Sequence, residues 1–465
     1  MFLSKILTKN ARFAINLRKP AMAQARAFSN YQFKQPVTHK IGTTEEVRPE
    51  FLEMWTELDE MINKAMPMVK RHYEECGTPQ TTRINHFALP EEILKDLGDI
   101  KNEGHSIDEC MDTFKMVMKY SVNTMHPYFW DKLWAGSDPI GQVAEFIVTV
   151  LNTAVHVYHV APVFTIMERE IMKIFAAKFG FDPETADGVI NPGGTMSNIM
   201  AVLVARNEHF PHVRLEGWKP EDQPVAFTSR QAHYSVTRGG MVAGIGMNNF
   251  IKVAGDRWTG EMIPEALDEA IREQKALGKT PFFVNSVGGS TVMGSFDDQH
   301  AISKVCKEHG LWHHIDGCWG GIMAFSEKTN HLYSGSHLAD SVAINAHKAL
   351  GAPNQCSYLL VNNRPNALIE ANCSGATYLF QETPWAKYDL ADKTLSCGRK
   401  ADSLKLWMLL KKHGLDGIGK IADDAMAKAK YITKQIEAQP DKFEMINRPM
   451  ATNVCFSYTP PAFRG

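Results

Sequence analysis

Short apolar runs alternate with amphipathic segments from about residue 125 to residue 395. Seven runs have the length and composition of buried β-strands: 188–190, 225–228, 250–253, 282–285, 312–315, 342–345 and 358–361. Segments between them, such as 264–277 and 299–309, carry apolar residues at helical spacing. Strands that alternate with helices predict an α/β fold with a mostly parallel, seven-stranded sheet covered by helices on both faces.

The pattern changes on either side of this region. Between about 45 and 120 the apolar spacing is helical, and Ser106–Glu109 resembles a capping box. After about 396 two long helices, 399–412 and 418–435, precede strand-like residues at 443–458. We therefore predict three parts: a helical N-terminal segment over 29–125, a large domain over 126–395 and a smaller C-terminal α+β domain over 396–465.

The first thirty residues are strongly basic. Their charged side chains are Lys5, Lys9, Arg12, Arg18, Lys19 and Arg26, and the first acidic residue is Glu45. Apolar residues between these charges are compatible with an amphipathic helix, which is typical of a mitochondrial transit peptide. Since Arg26–Ser29 resembles a matrix-protease site cut after Phe28, we predict a transit peptide over 1–28 and a location in the mitochondrial matrix. A disordered basic tail is the alternative.

Composition narrows the classes of partner. A formal net charge of −2 gives no reason to expect nucleic acid or an anionic membrane surface as a partner. The 8 cysteines form no CxxC pair, so neither a zinc site nor a disulfide framework is indicated. No apolar run approaches the roughly 20 residues that a transmembrane helix needs.

A carboxylate and an amine stand at the ends of two predicted strands. Asp316 follows the run 312–315, and Lys348 lies just beyond the run 342–345. Partial desolvation at the edge of a sheet favours a neutral, nucleophilic lysine. Pyridoxal phosphate (PLP) needs these two groups, because a lysine forms its Schiff base and an acid keeps its ring nitrogen protonated. A solvated lysine at a strand end is the simpler alternative for Lys348 taken alone.

Two further elements fit a flat, phosphorylated cofactor. Asn191–Asn198 reads NPGGTMSN and leads from a strand into a helix, where free N–H groups attract an anion. It matches neither a P-loop nor a GxGxxG motif, so a nucleotide is less favoured. His233 follows the strand 225–228, where its imidazole could stack on an aromatic ring. The order of glycine turn, histidine, aspartate and lysine makes coincidence improbable.

Over about 126–465 the chain resembles the PLP-dependent group II amino-acid decarboxylases of fold type I, especially the glutamate and cysteine-sulfinate decarboxylase branch. The motifs that carry the resemblance include HPYF (126–129), NPGGTMSN (191–198), SRQAHYS (229–235), HIDGCWGG (314–321), NAHK (345–348), CGRKAD (397–402) and TNVCFSY (452–458). The resemblance implies decarboxylation of an acidic L-amino acid such as glutamate, aspartate or cysteine sulfinate. It also implies a homodimer.

The resemblance also implies roles for individual residues. Lys348 carries the cofactor, Asp316 faces its ring nitrogen and His233 stacks on its ring. The other implied cofactor-binding residues are Thr195, Met196, Thr291, Asn345 and His347. Tyr378, on a loop that reaches the neighbouring subunit's site, resembles the tyrosine that reprotonates the substrate carbon.

Several residues depart from the family pattern. Ala346 stands where the family usually has proline, and Gly317 and Cys318 stand where it has alanines. At the substrate wall, Lys132 and Trp134 replace polar, neutral residues, which favours an acid shorter than glutamate. The family's substrate-clamping arginine lies in a late strand beyond residue 465, so we expect the C-terminal domain to be incomplete. A decarboxylase-like assembly protein without turnover, or another fold-type-I reaction such as transamination, is the alternative.

Overall fold

The computed structural model describes residues 48–130, 133–376 and 383–464. These residues fall into two compact units, one of 48–130 with 383–387 and the other of 133–376 with 388–464. The predicted transit peptide lies outside the described residues. The domain boundaries predicted at 125 and 395 stay predictions.

The first unit is helical, as the apolar spacing predicts. Its helices are α1 (Pro49–Gly77), α2 (Pro90–Leu97) and α3 (Ile107–Tyr120). The predicted capping box begins α3, since the Glu109 N–H donates to Ser106 Oγ at 3.3 Å and the Ser106 N–H donates to Glu109 Oε2 at 2.8 Å. Helix α1 buries none of its residues, so most of its apolar side chains face outward.

The second unit contains the sheet and most of the helices. Its helices are α4 (Pro139–Leu151), α5 (Pro162–Lys178), α6 (Gly194–His209), α7 (Val213–Glu216), α8 (Ser235–Val242), α9 (Pro264–Ala276), α10 (Gln299–His309), α11 (Ala367–Asn372) and α12 (Ser403–Glu437). Its strands are β1 (Asp187–Asn191), β2 (Pro224–Ser229), β3 (Phe250–Val253), β4 (Thr280–Val287), β5 (Trp312–Gly317), β6 (Ser341–Asn345), β7 (Ser357–Val361), β8 (Phe443–Met445) and β9 (Phe456–Tyr458). No helix in the described ranges has the length and apolar character of a membrane span.

The main sheet has seven strands in the order β1-β7-β6-β5-β4-β2-β3, which confirms the predicted sheet. Strand β7 runs antiparallel to both of its neighbours, whereas β2 to β6 pair in parallel. The two faces of the sheet pack into different cores, because successive side chains of a strand point in opposite directions. On β7, for example, Tyr358 and Leu360 join the core beneath α5 and α12, and Leu359 and Val361 join the core beneath α6.

Helix α12 covers the two helices predicted at 399–412 and 418–435. It is bent rather than continuous, because Gly414 interrupts it with φ 64° and ψ 174°. Glycine adopts this left-handed φ without the clash that a Cβ would cause. The strand-like residues predicted near the C-terminus form the antiparallel pair β8 and β9.

Parallel strands place their carboxyl ends at one edge of a sheet, where ligands of open α/β proteins bind. Strands β2, β4, β5 and β6 therefore deliver the residues that follow them to a common edge. Strand β1 points the same way, because it runs antiparallel to β7 and β7 runs antiparallel to β6. The glycine turn after Asn191 accordingly reaches the same edge.

Candidate active site

A cavity of about 540 Å³ opens at the carboxyl ends of these strands. Eight of the predicted site residues line it: Trp134, Thr195, His233, Thr291, Asp316, Asn345, His347 and Lys348. They come from six segments of the chain that lie far apart in sequence. The topology of the sheet thus brings together the residues that sequence motifs had singled out separately.

Three predicted residues do not join this group. The Met196 side chain is absent from the cavity lining in the described structure, and its N–H already donates to Gly193 O at 3.1 Å. Lys132 and Tyr378 lie outside the described residues, so their predicted roles stay predictions.

Asp316 is buried at the end of β5, with both carboxylate oxygens hydrogen-bonded. The Cys318 N–H donates to Oδ1 at 3.0 Å, and Asn198 Nδ2 donates to Oδ2 at 2.9 Å. The Asp316 carbonyl also accepts from the Gly288 N–H at 2.9 Å, which ties β5 to the turn after β4. These bonds hold the carboxylate in one orientation within the cavity wall.

The start of helix α6 forms another part of the cavity wall. Gly193 has φ 98°, a left-handed conformation that lets the chain turn sharply from β1 into the helix. In the described structure the N–H groups of Gly194 and Thr195 have no hydrogen-bond acceptor. A Cβ on Gly194 would lie 2.5 Å from Cys318 Sγ and 2.8 Å from the Asn345 amide. The glycine therefore keeps open the helix start, where free N–H groups and the helix dipole attract an anion.

Asn345 supplies a polar group at the same place. It is buried at the end of β6, and its Oδ1 has no hydrogen-bond partner in the described structure. Rotating the side-chain amide by half a turn would present its NH₂ group instead. Because a buried amide without a partner is costly, the site is suited to a polar ligand beside Gly194.

Burial also sets the protonation of nearby side chains. It lowers the pKa of His347 to about 4 and lowers the pKa of His233, so both imidazoles are neutral near pH 7. Burial raises the pKa of the Cys318 thiol, which therefore stays protonated.

Arg399, within the motif CGRKAD, has a structural position. Its Nη1 donates to Glu168 Oε1 at 3.0 Å and to Ile190 O at 2.7 Å. The Ile190 N–H donates to the same carboxylate at 2.8 Å. This buried ion pair fixes the end of β1, immediately before the glycine turn.

Sequence reasoning missed several cavity residues. Asn198, Ser235, Trp319 and Gln355 also line the cavity. The first three stand inside the motifs NPGGTMSN, SRQAHYS and HIDGCWGG, so their proximity to predicted residues was the available signal. Gln355 comes just before β7, the antiparallel strand that begins at this edge.

Comparison with known proteins identifies the chemistry that such a site serves. Residues 90–459 match the family model described as the pyridoxal-dependent decarboxylase conserved domain. Mouse cysteine sulfinic acid decarboxylase is 38% identical over 395 residues, covering 84% of this chain and 79% of the mouse protein. An L-aspartate decarboxylase from Metarhizium robertsii is 40% identical over 427 residues, covering 87% of this chain and 84% of that protein.

The chain belongs to the pyridoxal-dependent decarboxylase family. The crystal structure of mouse CSAD has the same fold, with a TM-score of 0.83 and 35% identity over 88% of this chain and 84% of that one. The predicted family, its PLP cofactor and the fold-type-I architecture are therefore confirmed.

The residues present fit this cofactor. Open N–H groups at Gly194 and Thr195 and the unpaired amide of Asn345 suit a phosphate. Across the same cavity, Asp316 suits a protonated ring nitrogen and Lys348 suits an aldehyde. The donor set thus matches both the charged and the reactive ends of pyridoxal phosphate.

Proposed function

We propose that this pyridoxal-dependent decarboxylase removes the α-carboxylate of an acidic L-amino acid as CO2. The single observation that carries the site assignment is that Lys348 and Asp316 line the same cavity as the open start of α6. Support for an acidic substrate comes from the relatives, which are named for cysteine sulfinic acid and L-aspartate.

The proposed binding mode assigns one task to each group. Lys348 would bond to the cofactor, Asp316 would hold its ring nitrogen and His233 would stack on its ring. The Gly194 and Thr195 N–H groups and Asn345 would hold the phosphate, with Thr291 and His347 beside it. When bound, PLP supplies an electron sink for the pair left behind when the carboxylate departs.

The walls of the cavity control water and charge. Leu133, Trp134 and Trp319 contribute apolar surface to the lining. A dry wall beside the departing group disfavours a charged carboxylate relative to neutral CO2. The wide indole of Trp134 also narrows the space for the substrate side chain, which favours aspartate or cysteine sulfinate over glutamate. Lys132, two residues earlier, would pair with the distal acid.

The proton that replaces the carboxylate needs a donor. On the family resemblance we assign this step to Tyr378. The neutral His347 imidazole lies in the cavity and can accept or relay a proton without first losing one. His233, also neutral, can lie against an aromatic ring without bringing a second positive charge to it.

Purified protein tests the function directly. We expect it to bind PLP with a yellow colour that is lost in Lys348→Ala, and to release CO2 from aspartate or cysteine sulfinate faster than from glutamate. Lys400→Ala is a suitable control, because Lys400 is half exposed and pairs with Glu145 rather than lining the cavity. Tight PLP binding without CO2 release from any of the three acids would contradict the proposal and favour an assembly protein.

We also propose a homodimer. Helix α4 presents Val143, Phe146, Ile147, Val150 and Leu151 to solvent, while Gly141, Ala144 and Val148 on its other side are buried. Positions spaced three and four residues apart form one continuous stripe on a helix. An exposed apolar stripe of this kind is typical of a protein–protein interface.

For the cellular location we propose the mitochondrial matrix, on the basic, acid-free composition of residues 1–28. A fluorescent protein fused after residue 28 should enter mitochondria. The same fusion with Arg12, Arg18 and Arg26 changed to glutamate should stay outside, and unchanged import would contradict the proposed signal.

A further inference from the structure

Asn198 occupies a central position behind the cavity. It lies in the second turn of α6, is 1% exposed and uses every polar atom of its amide. Its Nδ2 donates to Asp316 Oδ2 at 2.9 Å and to Ser235 Oγ at 2.9 Å. Its Oδ1 accepts from His314 Nε2 at 3.1 Å. The amide thus joins two residues that lead to opposite sides of the proposed cofactor site.

The direction of these hydrogen bonds follows from the carboxylate at one end of the network. Asp316 Oδ2 accepts from Asn198 Nδ2, so Asn198 Oδ1 faces His314 Nε2. Ser341 Oγ, which accepts from Trp312 Nε1 at 2.9 Å, can then donate to His314 Nδ1 at 2.8 Å. Burial lowers the pKa of His314 to about 4, so its ring is neutral and carries its one proton on Nε2. That proton goes to Asn198 Oδ1.

With its oxygen committed to His314, the amide must direct both N–H bonds the other way. One reaches Asp316 Oδ2, which accepts it. The other reaches Ser235 Oγ, whose own proton then goes to His233 Nδ1 at 2.8 Å. The Ser235 N–H also donates to this nitrogen at 3.3 Å, so Nδ1 is the acceptor and Nε2 carries the proton.

We propose that Asn198 is a positioning residue that orients Asp316 toward the cofactor ring nitrogen and, through the Ser235 hydroxyl, reinforces the tautomer of His233 that the Ser235 N–H also favours. The inference rests on the proposed roles of Asp316 and His233. The Asn198 amide then orients both Asp316, at the edge of the cofactor ring, and His233, on the face of that ring. The chain Trp312–Ser341–His314 holds that amide in the only orientation in which both contacts are donors.

A packing role would not need an amide here. Leucine has the same number and branching of side-chain heavy atoms, although its two methyl groups take up more space than the amide. Asn198→Leu therefore removes the donors while it keeps the branched shape of the side chain. Asn198→Asp instead places a second carboxylate beside Asp316, and two neighbouring carboxylates repel each other.

The experiment compares two cofactors: PLP and the analogue in which carbon replaces the ring nitrogen. We expect Asn198→Leu to weaken PLP binding about 10- to 100-fold, the effect of losing a hydrogen bond to a charged group. For the carbon analogue, which offers Asp316 no ring nitrogen, we expect a much smaller loss. Ser197→Ala is the matched control, since its hydroxyl faces Ser357 and Asn191 instead of Asp316.

Equal loss with both cofactors, or no loss with either, would overturn the inference. Circular dichroism and the melting temperature separate these results from failure to fold. Asp316→Asn tests the underlying assignment with the same two cofactors. If Asp316→Asn loses the same affinity for PLP as for the carbon analogue, the proposed role of Asp316 fails. If Asp316→Asn loses more affinity for PLP and Asn198→Leu does not, only the role of Asn198 fails.

Ser235→Ala tests the second branch. It removes the link to His233 and leaves the bond from Asn198 to Asp316, so it should retain the preference for PLP over the carbon analogue. It should also free His233 Nδ1 from its hydroxyl donor, which shifts the ¹⁵N signals of that ring. Unchanged signals would contradict the proposed control of the His233 tautomer.

Discussion

Three histidines near the sheet are held neutral by burial. The pKa falls to about 3 for His313 and to about 4 for His314 and His347. His313 lies on the other side of its strand from His314, between the hydroxyls of Ser286 and Ser303, each 2.8 Å from a ring nitrogen. In the unfolded chain these rings would bind protons near pH 6.5.

The unfolded state therefore takes up more protons than the folded state as pH falls from about 6.5 to about 4. As pH falls through that window, each of these histidines should lower the free energy of unfolding by up to about 1.4 kcal/mol for each pH unit. Above about pH 6.5 none of them should have this effect. The free energy of unfolding can be measured by urea denaturation at several pH values between about 4 and 6.5. We expect His313→Gln to reduce its dependence on pH by the contribution of about one proton. His331→Gln, at an exposed ring, is the control; an equal effect of both variants would contradict the explanation.

A second residue-scale prediction concerns Gly194. Because an added Cβ would meet both Cys318 Sγ and the Asn345 amide, Gly194→Ala should weaken PLP binding by about tenfold or more, as overpacking by 1–3 kcal/mol implies. Adding Cys318→Ala removes one of the two clashes and should restore part of the affinity, measured by cofactor fluorescence. An unchanged affinity in Gly194→Ala would contradict this prediction, because it would show that the start of α6 can shift to accommodate the added Cβ.

At the scale of elements, most of the site residues lie at or just beyond the ends of strands. This position explains which parts of the fold and the site the sequence could predict. The seven strands were predictable because each contains a short apolar run. All five residues of the central strand β6 are buried, whereas the edge strand β3 leaves Lys252 exposed. Asp316 and Lys348 were predictable because a charged residue after such a run stands at the sheet edge. The order in which the strands pair was not visible in these runs, although it decides which residues share the cavity.

Contacts between distant segments were also beyond sequence reasoning. Nothing local to Asn198 indicates a bond to Asp316, which is 118 positions away. The open N–H groups at Gly194 and Thr195, in place of the predicted pair Thr195 and Met196, depend on how Gly193 closes its own turn. These features arise only when the chain is folded.

The C-terminal segment before β9 also reaches the cavity wall. Asn453 Oδ1 accepts from Trp319 Nε1 at 2.6 Å, and its Nδ2 donates to Thr291 O at 3.1 Å and Val292 O at 3.0 Å. Trp319 and Thr291 both line the cavity. Asn453 therefore clamps two wall segments, one after β4 and one after β5, to the end of the described chain.

We expect Asn453→Ala to lower the free energy of unfolding by about 1 kcal/mol, because it removes hydrogen bonds to groups that are part-buried or exposed. It should also speed hydrogen exchange in residues 289–293 while leaving the distant β3 unaffected. Asn249→Ala, which loses a single bond from its amide to Ile245 O, is the control. Exchange that rises equally throughout the sheet would indicate general destabilisation instead of a released clamp.

At the scale of the whole molecule, the stripe on α4 bears on assembly. Burying a large apolar side chain is worth about 1.5–3 kcal/mol, so five such residues can contribute strongly to association even after its entropy cost. The stripe carries no charged residue among its exposed members Val143, Phe146, Ile147, Val150 and Leu151. Exposure to water does not favour a cluster of apolar side chains on one face of α4, whereas contact with another protein surface does.

Placing charge in that stripe should separate the subunits. The double variant Phe146→Glu, Val150→Glu sets two carboxylates on one helix face, and in a symmetric dimer each meets apolar partners that cannot pair with it. We expect sedimentation velocity to show a dimer for the natural chain and a monomer for this variant at micromolar concentration. Leu215→Glu, at a side chain that is 82% exposed outside the stripe, should remain dimeric. A dimer that survives both substitutions would place the interface on another surface, because a buried carboxylate pair could not be accommodated in this one.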